Sequence, residues 1–311
     1  MLKVNALSVC TSIDKKYLLY DICFSLEDGD SLGVIGKSGD GKSTLAKALL
    51  QIYDYNVTKV SGEIFYNNIP FSNNMRGKVF SLMFQNPNTY LNPLMKIGKQ
   101  IAEMLVYHYK ENKKVAKDKA IDLMKKVGLP DPEKLYNYYP YELSGGMKQK
   151  VCLCIALICK PKVLIMDEST SYLDKESENE ILNLIKQFQK EYGFILIMIS
   201  HDFKLIYSMC NKISIMRKGQ MIEFGNKDEI ILTPNHPYTI ELLCNYLSFY
   251  KDIENFECPL INMELEKCPP VTYISKTHYV RSWHLGSNAP NVNYPKNIEK
   301  IKEDIYESFR N

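Results

Sequence analysis

The chain has 311 residues, 45% of them apolar and 24% charged, and 39 Lys and Arg against 36 Asp and Glu give a formal net charge of +3. This balance, with ordinary Gly and Pro contents, excludes a collagenous, disordered or coiled-coil chain. The length allows one large domain or two modest ones, at roughly 100–200 residues per domain. Arg occurs only at positions 76, 217, 281 and 310. Because Arg is the preferred residue for bidentate reading of phosphates and bases, we expect no nucleic-acid partner.

The sequence contains no segment suited to spanning a bilayer. Its longest apolar runs, such as Val151–Cys159 and Phe194–Ile199, fall well short of the roughly 20 residues that a spanning helix needs. The first ten residues do not have the pattern of a signal peptide. Nine cysteines without such a signal indicate reduced thiols in a cytosol. Cys152 and Cys154 stand in an apolar stretch and are predicted to be small buried thiols.

The first half of the chain is predicted to pass from strands to helices. Residues 1–35 alternate short apolar runs with turn signals, and Ser31–Ile35 is a strand that leads into a glycine-rich loop. Thr44–Gln51 is predicted as a helix and Val79–Phe84 as a strand. From about residue 86 to residue 140 the pattern is helical, with one helix ended by Gly128.

The second half begins with a strand, helix and strand. Val163–Asp167 and Ile195–Ser200 are predicted strands, and between them apolar residues recur with helical spacing from Ile181 to Phe188. This βαβ unit implies a parallel sheet. Ile213–Ile215 and Met221–Phe224 are predicted to form a final hairpin. The following residues are richer in Pro, Asn and Tyr, and residues 285–311 are predicted to be partly disordered.

A glycine-rich loop carries the strongest chemical signal. Gly36–Ser43 fits the pattern G-x-x-x-x-G-K-[ST], after a predicted strand and before a predicted helix. Glycines let backbone N–H groups surround phosphate oxygens, and the helix N-terminus adds positive potential. Lys42 is expected to reach the β- and γ-phosphates, and Ser43 to bind Mg²⁺. Asp40 is unfavourable beside phosphates unless its side chain points away from them.

A second signal is the acidic end of the predicted strand at residues 163–167. Asp167 and Glu168 follow a fully apolar run. In P-loop NTPases such an aspartate helps to hold Mg²⁺, and an adjacent carboxylate is placed to polarise the attacking water.

Between these two motifs the sequence Leu143-Ser144-Gly145-Gly146 resembles the LSGG signature of ABC-type ATPases. The resemblance covers about residues 1–228 and implies an α/β fold: a P-loop ABC nucleotide-binding domain with a mixed sheet core and a helical subdomain at about residues 86–145. Residues 229–311 then form a C-terminal extension. Residues 171–174 are similar to the D-loop of the family.

The resemblance implies the following site. Its cofactors are ATP and Mg²⁺. The expected catalytic residues are Glu168, His201, Gln85 and Lys42. The expected metal ligands are Ser43, Gln85 and Asp167. The expected nucleotide-binding residues are Gly36, Lys37, Ser38, Gly39, Asp40, Gly41, Lys42, Ser43, Thr44 and Gln85, together with Ser144, Gly145 and Gly146, which serve the partner's ATP.

A narrower resemblance points to one group of transporters. The stretch Phe84–Leu94 is similar to FQDPxxSLNP of the ATPases of oligopeptide, dipeptide and nickel importers, and Tyr139–Glu142 and His236–Thr239 fit the same group. Met147 after LSGG favours the D-type subunit of the paired ATPases. This resemblance implies an ATP-hydrolysing subunit of a peptide importer. Its partners are a second ABC ATPase subunit, two integral-membrane permeases and, indirectly, an extracellular solute-binding protein. Its place is the cytoplasmic face of the cell membrane, as a peripheral subunit.

Three alternatives stay open at this point. In the first alternative the solute is nickel or a metal chelate instead of a peptide. The sequence barely distinguishes these solutes, because the ATPase chain does not touch the solute. The chain is a soluble, non-transport ABC ATPase, although it has a single phosphate loop and no long coiled coil. The chain is a regulatory cassette that binds ATP without hydrolysing it.

Several positions depart from the family pattern. The adenine-stacking aromatic falls near Thr11, so Tyr17 and Tyr20 are candidates to replace it. Ser169 replaces the usual Pro, and Lys148 and Lys150 stand where Arg is common. Some relatives carry a four-Cys cluster in the extension. Only Cys258 and Cys268 match it, with Ser282 at the place of the last Cys, so we expect no [4Fe–4S] cluster.

Overall fold

The computed structural model describes residues 1–83, 86–168, 174–248 and 271–281. Its strands are β1 (Leu2–Thr11), β2 (Tyr17–Leu26), β3 (Ser31–Ile35), β4 (Val57–Tyr66), β5 (Ile69–Pro70), β6 (Phe80–Met83), β7 (Val163–Asp167), β8 (Ile195–Ile199), β9 (Lys212–Arg217), β10 (Gln220–Asn226), β11 (Val271–Tyr273) and β12 (Tyr279–Arg281). Its helices are α1 (Lys42–Leu49), α2 (Pro87–Tyr90), α3 (Ile97–Tyr109), α4 (Lys113–Lys126), α5 (Pro132–Leu135), α6 (Gly145–Leu157), α7 (Lys175–Tyr192), α8 (Phe203–Met209), α9 (Lys227–Leu232) and α10 (Pro237–Ser248).

The described residues divide into two compact units. The first, which we call the helical unit, contains residues 1–2, 26–30 and 65–198. The second, the phosphate-loop unit, contains residues 3–25, 31–64 and the described residues from 199 onward.

The helical unit places helices around a short sheet of β6, β7 and the start of β8. β6 and β7 are parallel, with Phe80 opposite Val163 and Met83 opposite Met166. Helices α3 and α4 pack against each other and both contact α6, whose residues 151–157 are all buried. The helix α4 begins at the cap Asn112, whose side chain accepts a hydrogen bond from the Lys114 N–H. This capping and a buried stripe of Ala, Ile, Leu and Met explain why the segment is a helix.

The phosphate-loop unit contains two sheets. In one, β3 is parallel to β9, with Leu32 opposite Lys212 and Ile35 opposite Ile215, and β10 continues the sheet in antiparallel pairing. The short strands β12 and β11 follow, and β12 pairs with β10. In the other sheet β1 lies between β2 and β4. All five residues of β3 are buried, and α8 packs on this strand.

The structure confirms most of the predicted elements. Ser31–Ile35 and Val163–Asp167 have the predicted bounds, and β9 and β10 form the predicted hairpin. The first helix begins at Lys42 rather than at Thr44, because Gly41 is its N-cap. Cys152 and Cys154 are buried free thiols, as expected. The α/β fold with a mixed sheet is confirmed. None of the helices in the described ranges has the length and hydropathy needed to cross a bilayer.

Candidate nucleotide-binding site

The predicted phosphate loop joins β3 to α1 in the phosphate-loop unit. Gly41 caps the helix with φ of +93°, and a Cβ on it would lie 2.8 Å from the carbonyl oxygen of Leu18. Only glycine fits this backbone. Within the described residues no side chain caps α1, and its first turn contains no acidic residue. The positive end of the helix, toward which its backbone N–H groups point, therefore favours an anion.

Lys42 is positioned by the loop that it follows. The side chain is buried, and its ammonium donates hydrogen bonds to the carbonyl oxygens of Gly36 and Lys37, each at 2.9 Å. The ammonium therefore links the start of the loop to the start of the helix. Ser38 and Ser43 are exposed, so their hydroxyls lie at the surface of the unit.

Asp40 has its carboxylate held by protein donors. Its Oδ2 accepts hydrogen bonds from the Lys37 N–H at 2.7 Å and from the Tyr238 hydroxyl at 3.1 Å. Its Oδ1 accepts from the Lys218 N–H at 3.0 Å. The side chain is buried, and these donors stabilise its negative charge. Asp40 is thus compatible with a phosphate loop because its carboxylate is bound by donors of the protein itself.

Tyr238, Glu241 and Arg217, which lie outside the loop, contact Lys37 and Asp40 or each other, and the sequence analysis assigned them no role. The Lys37 ammonium pairs with Glu241 at 2.9 Å and lies over the ring of Tyr238. The guanidinium of Arg217 also lies over that ring, 4.6 Å from its centre. Burial, and next the Asp40 carboxylate, raise the pKa of Tyr238, so its hydroxyl remains protonated and donates. The acidic residue at position 40 of the phosphate loop was the sequence signal, because a buried carboxylate needs hydrogen-bond donors from other parts of the chain.

In the helical unit, Asp167 ends β7 and Glu168 follows it, both of them partly buried. Glu168 has φ of +44°, in the left-handed region that residues with a Cβ seldom adopt. Such backbone strain is concentrated at functional sites, where it aims a side chain. The backbone therefore has a positive φ at the residue that the sequence predicts as the general base.

The signature residues lie at the N-terminus of α6, also in the helical unit. The hydroxyl of Ser144 caps the helix by accepting a hydrogen bond from the Met147 N–H at 3.3 Å. Ser144 and Gly145 are exposed, and a Cβ on Gly145 would meet nothing within 4 Å. A Cβ on Gly146 would lie 3.2 Å from the hydroxyl of Ser177. The signature is thus an exposed helix start whose small residues permit close approach by another molecule.

Two further groups predicted from the sequence are Asp174 and His201. Asp174 caps α7 by accepting hydrogen bonds from the N–H and the hydroxyl of Ser177, and these bonds lower the pKa of its carboxyl. In the phosphate-loop unit, His201 is exposed between β8 and α8, and the next residue, Asp202, caps α8. Gln85, the rest of the predicted D-loop with Ser169, and the three positions considered for an iron–sulfur cluster lie outside the described residues.

Comparison with known proteins gives consistent matches. The family model described as "ABC transporter" matches residues 19–171. The chain is 35% identical to the oligopeptide transport ATP-binding protein OppD of Bacillus subtilis (strain 168), over 92% of this chain and 88% of that protein. It is 34% identical to the oligopeptide transport ATP-binding protein AmiE of Streptococcus pneumoniae (strain TIGR4), over 93% of this chain and 90% of that protein.

A solved structure has the same fold. The ATP-binding cassette MJ0796, described as a dimeric post-hydrolysis state bound to ADP and Pi, aligns with a TM-score of 0.64 and 22% identity. The alignment covers 73% of this chain and 99% of that one. The motifs, the fold and the relatives agree, and the chain belongs to the ABC transporter family, among the oligopeptide and dipeptide transport ATP-binding proteins.

Proposed function

We propose that this chain is the ATP-hydrolysing subunit of an importer that takes up oligopeptides or dipeptides. The observation that carries the proposal is the extent of the likeness. The two relatives named for oligopeptide transport align with 92% and 93% of the chain, whereas the general family model matches only residues 19–171. The likeness to these relatives therefore extends into the C-terminal region, beyond the residues that the family model matches.

ATP is the proposed nucleotide because of the phosphate loop. The uncapped start of α1 offers N–H groups and positive potential to phosphate oxygens. Lys42 adds a full positive charge, and its present partners are neutral carbonyl oxygens, which it can exchange for β- and γ-phosphate oxygens. The loop backbone at residues 36–41 and the side chains of Ser43 and Thr44 complete the proposed phosphate cradle.

Mg²⁺ is the proposed metal cofactor. The Ser43 hydroxyl and the Asp167 carboxylate are hard oxygen donors, the kind that Mg²⁺ prefers, so these residues fit the ion. Gln85 is the third proposed ligand. When bound, Mg²⁺ supplies positive charge to the β- and γ-phosphates.

Hydrolysis is assigned to three residues of this chain. Glu168 is the proposed general base that accepts a proton from the attacking water. His201 is proposed to stabilise the γ-phosphate, and Gln85 to sense it. Catalysis of phosphoryl transfer depends chiefly on positioning and electrostatic stabilisation, so each residue acts by holding a group in place.

The proposed active form is a head-to-tail pair of ATPase subunits. Ser144, Gly145 and Gly146 then cover the nucleotide on the partner. This is supported by a helix start at which Ser144 and Gly145 are exposed and a Cβ on Gly145 would meet nothing within 4 Å. ATP closes the pair, and loss of the γ-phosphate opens it. The partner is a second ABC ATPase subunit, identical or paralogous.

The proposed setting is the cytoplasmic face of the cell membrane. There the pair works with two integral-membrane permeases, to which an extracellular solute-binding protein delivers the peptide. The names of the relatives, which are transport ATP-binding proteins, support this assembly.

Uptake in cells tests the proposal. Cells that lack this chain should fail to accumulate a labelled oligopeptide, and the wild-type chain should restore uptake. Lys42→Ala should not restore it, whereas Lys47→Ala, on the outer part of the same helix, should. Normal peptide uptake in the cells that lack the chain, with failed uptake of nickel, would instead establish the metal importer.

A further inference from the structure

Helix α10 contacts the phosphate loop through Tyr238, and the contact is fully internal to the phosphate-loop unit. The Tyr238 side chain is only 3% exposed, and its hydroxyl donates to Oδ2 of Asp40. The same Oδ2 accepts the N–H of Lys37, so one carboxylate oxygen joins the second residue of the loop to the helix. A change at Tyr238 can therefore reach the loop backbone through this buried oxygen.

A second contact strengthens this link. The Lys37 ammonium pairs with Glu241, one turn after Tyr238, and the Glu241 side chain is 2% exposed. The other carboxylate oxygen of Glu241 has no hydrogen-bond partner in the part of the chain that the structure describes. Lys37 is therefore the ion-pair partner of the buried Glu241 carboxylate, and its side chain is directed toward α10. Both ends of the Lys37 residue, its N–H and its ammonium, are fixed by this arrangement.

The loop needs such support because of its composition. Three of its six residues from Gly36 to Gly41 are glycines, which lose the most conformational freedom when they are ordered. A loop that is already ordered binds its ligand more tightly, because less ordering has to accompany binding. Tyr238 lies well beyond residues 19–171, which the general family model matches.

We propose that Tyr238 and Asp40 are positioning residues that hold the phosphate loop in its nucleotide-binding conformation. Both carboxylate oxygens of Asp40 accept hydrogen bonds from protein donors, so the proposed role acts through the loop backbone. Tyr238 fixes Asp40, and Asp40 fixes the backbone at Lys37 and Lys218. This inference rests on the proposed function, because it assumes that the loop binds nucleotide.

Nucleotide affinity of the full chain tests the inference. We expect Tyr238→Phe to raise the Kd for a fluorescent ADP analogue in Mg²⁺ by about three- to tenfold, a part of the free energy of one hydrogen bond to a charged group. The matched control is Tyr279→Phe, since the Tyr279 hydroxyl is also buried and donates to the carbonyl of Cys23 at 2.8 Å. The control should keep the wild-type Kd within twofold.

A double-mutant cycle separates positioning from general stability. If Tyr238 acts through Asp40, then Tyr238→Phe should change the Kd by less than twofold in an Asp40→Ser chain. An equal effect in both backgrounds would overturn the inference. So would a Tyr238→Phe chain that binds as tightly as the wild type.

Asp40→Asn gives a second test in case Tyr238→Phe does not fold. The Lys37 N–H, the Lys218 N–H and the Tyr238 hydroxyl all donate to the carboxylate, so the amide NH₂ of Asn would face a donor and weaken the arrangement. Positioning therefore predicts weaker binding, whereas simple removal of a negative charge near phosphates predicts tighter binding. Equal or tighter binding would overturn the inference. A wild-type chain that binds no nucleotide would contradict the proposed function itself, and is thus a separate result.

Discussion

Glu223 in β10 gives the sharpest test of how the C-terminal part of the described chain is held. It is fully buried. Its Oε1 accepts the Asn235 N–H at 2.8 Å and lies 2.9 Å from Nε2 of His278. Its Oε2 accepts the His236 N–H at 3.2 Å and the Thr239 hydroxyl. One carboxylate in β10 therefore binds α10, the turn before α10 and His278, the residue before β12.

Replacing Glu223 with Ala should be among the most destabilising single changes in this unit. It leaves two backbone N–H groups, one hydroxyl and one imidazole without this acceptor in a buried place. Each such orphan costs about 1–3 kcal/mol, and loss of one member of a buried pair costs about 3–5 kcal/mol in total. We therefore expect about 3–5 kcal/mol for Glu223→Ala. Glu223→Gln should cost about half as much, because it keeps one acceptor oxygen.

Hydrogen exchange measured by mass spectrometry is the suitable assay. The chain has two compact units, so whole-chain melting would mix their unfolding, whereas exchange reports on residues 220–240 directly. A loss of 3–5 kcal/mol corresponds to exchange faster by roughly a hundredfold to several thousandfold. Glu63→Ala, at an exposed position in β4, is the control and should change exchange little. Equal exchange in the two variants would refute the reasoning.

Three further predictions concern packing, thiol chemistry and pH. Gly98→Ala should lower the free energy of unfolding of the helical unit by about 1–3 kcal/mol, because its Cβ would lie 2.1 Å from the Tyr136 ring. Hydrogen exchange over residues 97–109 measures this, and unchanged exchange there would contradict it. Burial raises the pKa of Cys159 to about 11, so iodoacetamide at pH 8 should label it in urea but not in the native chain, as peptide mass spectrometry would detect. Burial raises the pKa of Glu229, but hydrogen bonds from the Asn226 N–H and from two hydroxyls outweigh it, and the net pKa is lowered. Glu229 thus stabilises the fold above its unfolded pKa. Hydrogen exchange over residues 220–240, compared between Glu229→Gln and wild type at each pH, should show a penalty at pH 7 that shrinks below about pH 4.

The sequence predicted the elements that carry the chemistry because their patterns are local. A buried strand, a glycine turn and a helix start occupy consecutive residues at β3, the phosphate loop and α1, so spacing alone identifies them. The strand before Asp167 and the exposed start of α6 at Ser144 are local in the same way.

Contacts between distant residues were not predictable in this way. Asp40 and Tyr238 are 198 positions apart, and Glu223 and His278 are 55 apart. No periodicity connects such pairs, because the pairing is set by the packing of α10 and β12 on their own unit. Asp40 was the residue in the sequence that indicated this packing, because an acid in a phosphate loop requires donors from elsewhere in the protein. The roles of Gln85 and the other site residues stay predictions.

The central claim is that this chain hydrolyses ATP with Glu168 as the base, in a pair of ATPase subunits. The most direct measurement compares wild-type and Glu168→Gln chains in the complex assembled with the permeases. The account predicts that Glu168→Gln retains bound ATP but loses at least about 99% of its turnover, since general-base catalysis is worth about a hundredfold or more. A Glu168→Gln complex with intact ATPase activity would contradict it.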